Sequence, residues 1–191
     1  MIDTKAIEKH IRGILIALGD DPDREGLRET PERVAKMYEL LFDGVGRQTR
    51  EIWGETFDAG PGAEGIVAVR HIPFYSMCEH HLVPFFGEVN IAYLPALGGV
   101  AGFSKFAKLV EIISHRPQLQ ERMTGEIAEA IAADLLSPAV LVTVEAQQLC
   151  MTMRGDLAHG TRTVTSCSTG RFREDEALRR QAWNLLGKEQ K

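Results

Sequence analysis

Cysteine is scarce in this chain of 191 residues, which contains only Cys78, Cys150 and Cys167. An odd and small number of cysteines argues against a fold held together by disulfides. The same residues remain available to bind a metal or to take part in chemistry. Neither internal repeats nor low-complexity segments are present in the sequence.

The sequence also lacks any apolar run near the roughly 20 residues that a membrane helix needs. Its first residues mix charges throughout and contain no signal-peptide core. We therefore expect a cytoplasmic protein with no membrane partner. Twenty-two basic residues against 27 acidic ones give a net charge of -5, which argues against a nucleic-acid partner.

The hydrophobic pattern predicts an α+β fold. Residues 3–18 repeat apolar side chains at helical spacing, and Thr30-Pro31 is a typical helix start. A flexible break at 59–65 separates this N-terminal helical region, residues 1–58, from a main domain over 59–191. There the pattern predicts two strands, two helices and two strands (66–74, 87–94, a helix capped by Ser104, a helix from Pro117, 140–147 and 162–172). Paired strands around paired helices predict an antiparallel sheet with helices on one face.

Cys78, His80 and His81 fall within the segment that connects the first two predicted strands. Zinc prefers thiolate and imidazole ligands, and three protein ligands with one open position are typical of a catalytic site. Cys150, just beyond the third predicted strand, is a candidate third ligand. An extended segment would place His80 on the same side as Cys78, whereas a turn would place His81 there. The alternative is that the cysteines are buried in the core and the histidines are exposed.

Basic side chains form a second pattern. Arg33 and Lys36 are three residues apart on one predicted helix, as are Lys105 and Lys108 on another, and Arg154 follows Cys150 by four positions. Ser104 and Lys105 at a helix start suit a phosphate, because free N–H groups and the helix dipole attract anions. Taken separately, each pair is explained more simply as part of an ordinary solvated helix face.

Gln120, Glu121 and Arg122 lie together in the second central helix. A salt bridge explains Glu121 most simply, but a carboxylate also accepts two parallel N–H donors of a guanidine-like edge.

These segments together resemble the GTP cyclohydrolase I family. The resemblance extends from GLRETPERVAKMY at 26–38 to FRED at 172–175, and it is carried by four blocks: FYSMCEHHLVPFFGEV at 74–89, GFSKFAKLVEI at 102–112, RPQLQERMT at 116–124 and CMTMRG at 150–155. It implies a tunnelling fold, in which a four-stranded antiparallel sheet carries two helices between its strand pairs. It also implies a homodecamer of two pentamers with active sites at subunit interfaces.

The implied reaction is the zinc-dependent hydrolysis of GTP at C8, which releases formate and forms 7,8-dihydroneopterin triphosphate for folate or other pterin synthesis. By the resemblance, the zinc ligands are Cys78, His81 and Cys150, and His80 is the acid–base group beside N7 and C8. The implied guanine-reading and phosphate-binding residues are Glu121 with Gln120, Ser104, Lys105, Arg154, Arg33 and Lys36. Lys108 stands where the family commonly has arginine, so the charge is kept without the bidentate fork.

One position departs from the family pattern. Members usually carry a histidine two residues before the second zinc cysteine, and here that catalytic position is Gln148. Glutamine exchanges hydrogen bonds but not a proton near neutral pH. Three hypotheses follow: the full reaction, with water or His159 in place of the imidazole; a paralogue that stops at a ring-opened formamidopyrimidine; or a non-catalytic nucleotide-binding subunit.

Overall fold

The computed structural model describes residues 2–58, 60, 65–96, 99–153 and 160–187. Within these ranges the helices are α1 (Thr4–Ala17), α2 (Thr30–Leu41), α3 (Phe103–Ser114), α4 (Gln120–Asp134), α5 (Leu149–Thr152), α6 (Arg171–Glu174) and α7 (Glu176–Leu185). The strands are β1 (Phe57–Asp58), β2 (Val67–Cys78), β3 (Val83–Tyr93), β4 (Gly99–Val100), β5 (Pro117–Gln118), β6 (Ala139–Gln148) and β7 (Thr163–Gly170). None of these helices is long and apolar enough to cross a bilayer.

A five-stranded sheet in the order β5-β2-β3-β6-β7 forms the centre of the molecule. The four long strands pair antiparallel, and β5 adds a short parallel pairing to the end of β2. The predicted α+β class is confirmed, but the sheet has five strands in place of the predicted four. The difference arises because Pro117 does not start a helix: Pro117 and Gln118 pair with Met77 and Cys78, and α4 begins only at Gln120.

The main core lies between one face of the sheet and helices α3 and α4. Phe106 and Leu109 of α3 and Ile127 of α4 are fully buried against alternate residues of β6, such as Val142. Alternation along the strands directs these side chains to one face. This arrangement agrees with the prediction that the two central helices cover the sheet.

The opposite face of the sheet is partly covered as well, which the sequence did not predict. Phe172 of α6 and Ala182 of α7 pack on Ala92 and Leu141 in a second, smaller buried cluster. The C-terminal helices thus bury residues of β6 that alternation alone would leave facing solvent. The N-terminal helices α1 and α2 pack mainly on each other, and no side chain of α1 is buried.

Candidate active site

The strand β2 ends in a tight turn that carries both histidines. The backbone N–H groups of His81 and Leu82 donate to the carbonyl oxygen of Cys78 at 3.4 and 2.8 Å, and Leu82 adopts a positive φ of 52°. A non-glycine residue with this backbone conformation is uncommon and is frequently found at functional sites. Of the two conformations considered for this segment, the structure has the turn, with Cys78 buried and His80 exposed.

Two contacts attach this turn to the start of α4. The N–H of Glu79 donates to the carbonyl of Gln118 at 3.0 Å, and the guanidinium of Arg122 donates to both carboxylate oxygens of Glu79 at 2.6 and 2.9 Å. The Arg122 guanidinium holds the pKa of Glu79 below its ordinary value of 4.5. Glu79 in turn raises the pKa of Arg122. Arg122 therefore forms its salt bridge with Glu79 and not with the adjacent Glu121. Glu121 itself is exposed.

The other wall of the site comes from the end of β6. Pairing of β3 with β6 sets Phe85 opposite Gln148, and the chain then turns into α5, which carries Cys150. A cavity of about 170 Å³ lies between these segments, and it is lined among others by Cys78, His80, Gln120, Glu121, Gln148 and Cys150. Three distant parts of the sequence therefore meet at one concave surface, as predicted for Cys78 and Cys150.

Gln120 and Gln148 are hydrogen-bonded to each other across this cavity. The side-chain amide of Gln148 donates to Oε1 of Gln120 at 2.7 Å, and Nε2 of Gln120 lies within 3.2 Å of Val144 O, Thr163 O and Thr165 Oγ1. Gln120 is only 3% exposed. Its amide is engaged with the sheet.

The donors near the cavity suit zinc. Two thiols and an imidazole are ligands that this metal prefers, and Cys78 and Cys150 line the same cavity. His81 follows Cys78 by one turn but is not among the residues that line the cavity. Among the described residues, the ligand atoms of Cys78, His81 and Cys150 do not form a group of three within 4.8 Å of one another.

A different group already has ligand atoms within 4.8 Å of one another, and among the described residues it is the only such cluster of three: Asp43, Glu111 and His115. Asp43 is hydrogen-bonded to His115 at 2.7 Å, and Glu111 forms an ion pair with Lys108 at 2.7 Å. Sequence reasoning missed this cluster, because Asp43 and His115 are 72 residues apart with no shared motif. Each carboxylate already has a partner here.

The predicted phosphate-binding side chains that the structure describes lie outside the cavity lining in this chain. Arg33 pairs with Glu29 at 2.8 Å and Lys36 with Glu32 at 2.7 Å, and all four are exposed on α2. Ser104 and Lys105 lie in the first turn of α3, but Gly102, not Ser104, occupies the N-cap position. Arg154 and His159 fall outside the described residues.

Comparison with known proteins gives a consistent result. The sequence profile described as GTP cyclohydrolase I matches residues 7–187. The chain is similar to GTP cyclohydrolase 1 of Thermoanaerobacter pseudethanolicus, with 49% identity over 186 residues that span 97% of this chain and 98% of the relative. It is also 49% identical to GTP cyclohydrolase 1 of Desulforamulus reducens (98% and 100% covered) and of Clostridioides difficile (97% of each).

Proposed function

The chain belongs to the GTP cyclohydrolase I family and is a hydrolase that acts on GTP, and on this premise we propose that the cavity between Cys78 and Cys150 is its active site. The proposed reaction opens the imidazole ring of guanine at C8, releases formate and yields 7,8-dihydroneopterin triphosphate. The observation that carries the proposal is the meeting of two cysteines, His80 and Glu121 at one cavity. The α+β topology supports assignment of the main domain, residues 59–191, to the tunnelling fold.

Zinc is the proposed cofactor, with Cys78, His81 and Cys150 as its ligands. The turn at Cys78–Leu82 supports His81, because residues three apart in a turn can reach the same ion. Zinc in such a site lowers the pKa of coordinated water and acts as a Lewis acid. The ring of His80, which lines the cavity, then remains available for proton transfer.

The remaining residues bind and orient GTP. Water adds across the N7–C8 bond, so that C8 gains a hydroxyl and N7 a hydrogen. His80 transfers the proton from the water to N7, which is the usual role of a histidine in general acid–base catalysis. Glu121 is exposed at the cavity and can accept two parallel N–H donors from the guanine edge. The triphosphate and ribose are assigned to Arg33, Lys36, Ser104, Lys105, Lys108 and Arg154.

A neighbouring subunit is proposed to complete the site. The cavity of about 170 Å³ is smaller than the roughly 300–1,000 Å³ typical of ligand pockets. Four of the basic residues assigned to the triphosphate are described, and these four lie outside its lining in the same chain: Arg33, Lys36, Lys105 and Lys108. Both observations support an assembly in which one subunit supplies zinc and guanine contacts while another supplies phosphate contacts, and a decamer of two pentamers is the proposed form.

Formate release and pterin fluorescence, followed together after zinc-loaded protein is mixed with GTP, test this proposal. We expect both signals in equal amounts, and we expect Glu121→Gln to lose most of the rate. Glu176→Gln, an exposed substitution on α7, is the matched control and should keep the rate. Loss of GTP into a formamide without formate would replace the full reaction with the arrested one. Unchanged GTP would leave only nucleotide binding.

A further inference from the structure

The amide orientation of Gln120 is dictated by the sheet beneath it. Its Nε2 lies 3.1 Å from the carbonyl oxygen of Val144 and 3.0 Å from that of Thr163. Backbone carbonyls only accept hydrogen bonds, and the amide nitrogen has two hydrogens to give. Turning the amide over would set its oxygen against two other oxygens in a buried place. Gln120 therefore directs its Oε1 away from the sheet, towards Gln148.

This orientation in turn fixes Gln148. Oε1 of Gln120 needs a donor, and Nε2 of Gln148 supplies it at 2.7 Å. The carbonyl oxygen of Gln148 is then the other end of its amide. It lies 3.9 Å from Sγ of Cys150, which donates to it as a thiol. An amide oxygen has two lone pairs, so it can accept from a second group as well.

We propose that Gln120 and Gln148 form an amide relay, anchored in the sheet, that holds the Gln148 carbonyl oxygen ready to accept a hydrogen bond from the purine. The donor is an N–H or O–H group that the purine gains only when water adds to it. The inference rests on the proposed function. An intact guanine offers at its five-membered ring an acceptor nitrogen, N7, and a C8–H group. After water has added across N7 and C8, N7 carries a hydrogen and C8 a hydroxyl. Gln148 then contacts the hydrated ring, and Gln120 is a positioning residue that acts through it.

The physical consequence is selective stabilisation of the hydrated ring without proton exchange. A contact that forms only after water has added lowers the barrier and leaves ground-state binding of GTP unchanged. One hydrogen bond of this kind corresponds to a factor of about 10 in an equilibrium or a rate. An amide neither gains nor loses a proton near neutral pH, so the proton that N7 receives comes from elsewhere, and His80 lines the same cavity.

Two unreactive analogues of GTP separate this role from a merely structural one. In 8-oxo-GTP the purine carries a hydrogen on N7 and an oxygen on C8, and it imitates the donor that hydration creates. In 7-deaza-GTP a C–H group replaces N7, and no donor is available there. The measurement is the ratio of the dissociation constants of the two analogues on zinc-loaded protein, by calorimetry.

We expect the preference of wild-type protein for 8-oxo-GTP over 7-deaza-GTP to fall about tenfold in Gln148→Met, with binding of 7-deaza-GTP unchanged. Gln120→Met should lower the preference as well, and the double variant should lower it no further, because members of one network are not additive. Gln147→Met is the matched control, since neighbouring residues of β6 face opposite sides of the sheet.

The relay is overturned if Gln148→Met keeps the wild-type preference for 8-oxo-GTP over 7-deaza-GTP. It is also overturned if Gln147→Met lowers this preference as much as Gln148→Met does, or if Gln148→Met weakens the binding of both analogues equally. Formate release from GTP by wild-type protein, measured alongside, keeps the two proposals apart. Formate release without any sensitivity of the preference to Gln148 removes the relay alone. A Gln148-dependent preference without formate release removes the proposed reaction and retains the relay as a ligand contact.

Discussion

Replacement of Gly87 by alanine should destabilise the protein, because the geometry of the sheet leaves no room for an added Cβ. Gly87 lies in β3 opposite Ala146 of β6. A Cβ added there would be 2.7 Å from Cα of Ala146 and 2.9 Å from the carbonyl carbon of Glu145, and closer still to the Glu145 carbonyl oxygen. All three are backbone atoms, so no side-chain rotation can relieve the contact. The two strands must separate.

Overpacking a well-packed region typically costs about 1–3 kcal/mol, and a backbone obstacle places Gly87→Ala at the upper end, about 3 kcal/mol. For a chain of this size, each kcal/mol lowers the melting temperature by roughly 2–4 °C, so the expected decrease is about 6–12 °C. Phe85 and Gln148 pair two residues farther along the same strands. Separation of β3 from β6 should therefore also disturb the cavity and slow the proposed reaction.

Urea unfolding at one fixed protein concentration is the suitable assay, since the stability of the proposed oligomer would depend on concentration. Gly125→Ala is the matched control: Gly125 lies inside α4, and an added Cβ meets no atom within 4 Å. We expect that control to gain about 0.4–1 kcal/mol, because alanine favours the helix and restricts the unfolded chain. Equal stability of Gly87→Ala and wild-type protein would show that β3 and β6 do not approach each other as closely at Gly87 as the structure places them.

Three further predictions concern an ion pair, the core and the metal. Arg122 lowers the pKa of Glu79, so the pair stabilises the fold above the ordinary pKa of 4.5 and loses this effect as the pH falls through the lower pKa of the folded state. The difference in unfolding free energy between wild type and Arg122→Gln should therefore disappear in acid. A difference that does not change with pH would show that the pair does not contribute. Phe106→Ala should cost about 3–5 kcal/mol in urea unfolding, and a cost below 1 would contradict its placement in the core. Cys150→Ser should lose zinc by elemental analysis while Cys167→Ser retains it, and equal zinc in both would exclude Cys150 as a ligand.

The strands were predictable from alternation to a useful degree. Val140, Val142 and Val144 alternate along the sequence and are all buried against the central helices. Leu141 occupies the opposite face and is buried too, because Phe172 covers it. Alternation could not reveal this, since the cover comes from a helix about 30 residues farther on, whose position depends on the completed sheet.

The site was predictable in its composition and less so in its geometry. The sequence predicted that a sheet would bring Cys150 back to Cys78, and the two do line one cavity. The pairing of Pro117 and Gln118 with β2 was not predicted, because helix-start residues and a two-residue edge strand look alike in sequence. The hydrogen bond of Gln148 to a residue 28 positions away likewise depends on the folded register of the sheet.

The proposed hydrolysis of the guanine ring of GTP at C8 can be followed with GTP labelled with carbon-13 at C8. Zinc-loaded protein is incubated with the labelled GTP, and the fate of the label is followed by NMR. We expect the label to appear as free formate in step with the formation of an unlabelled pterin. Label that stays in the purine, or stops in a formamide attached to the pyrimidine, would exclude the full reaction.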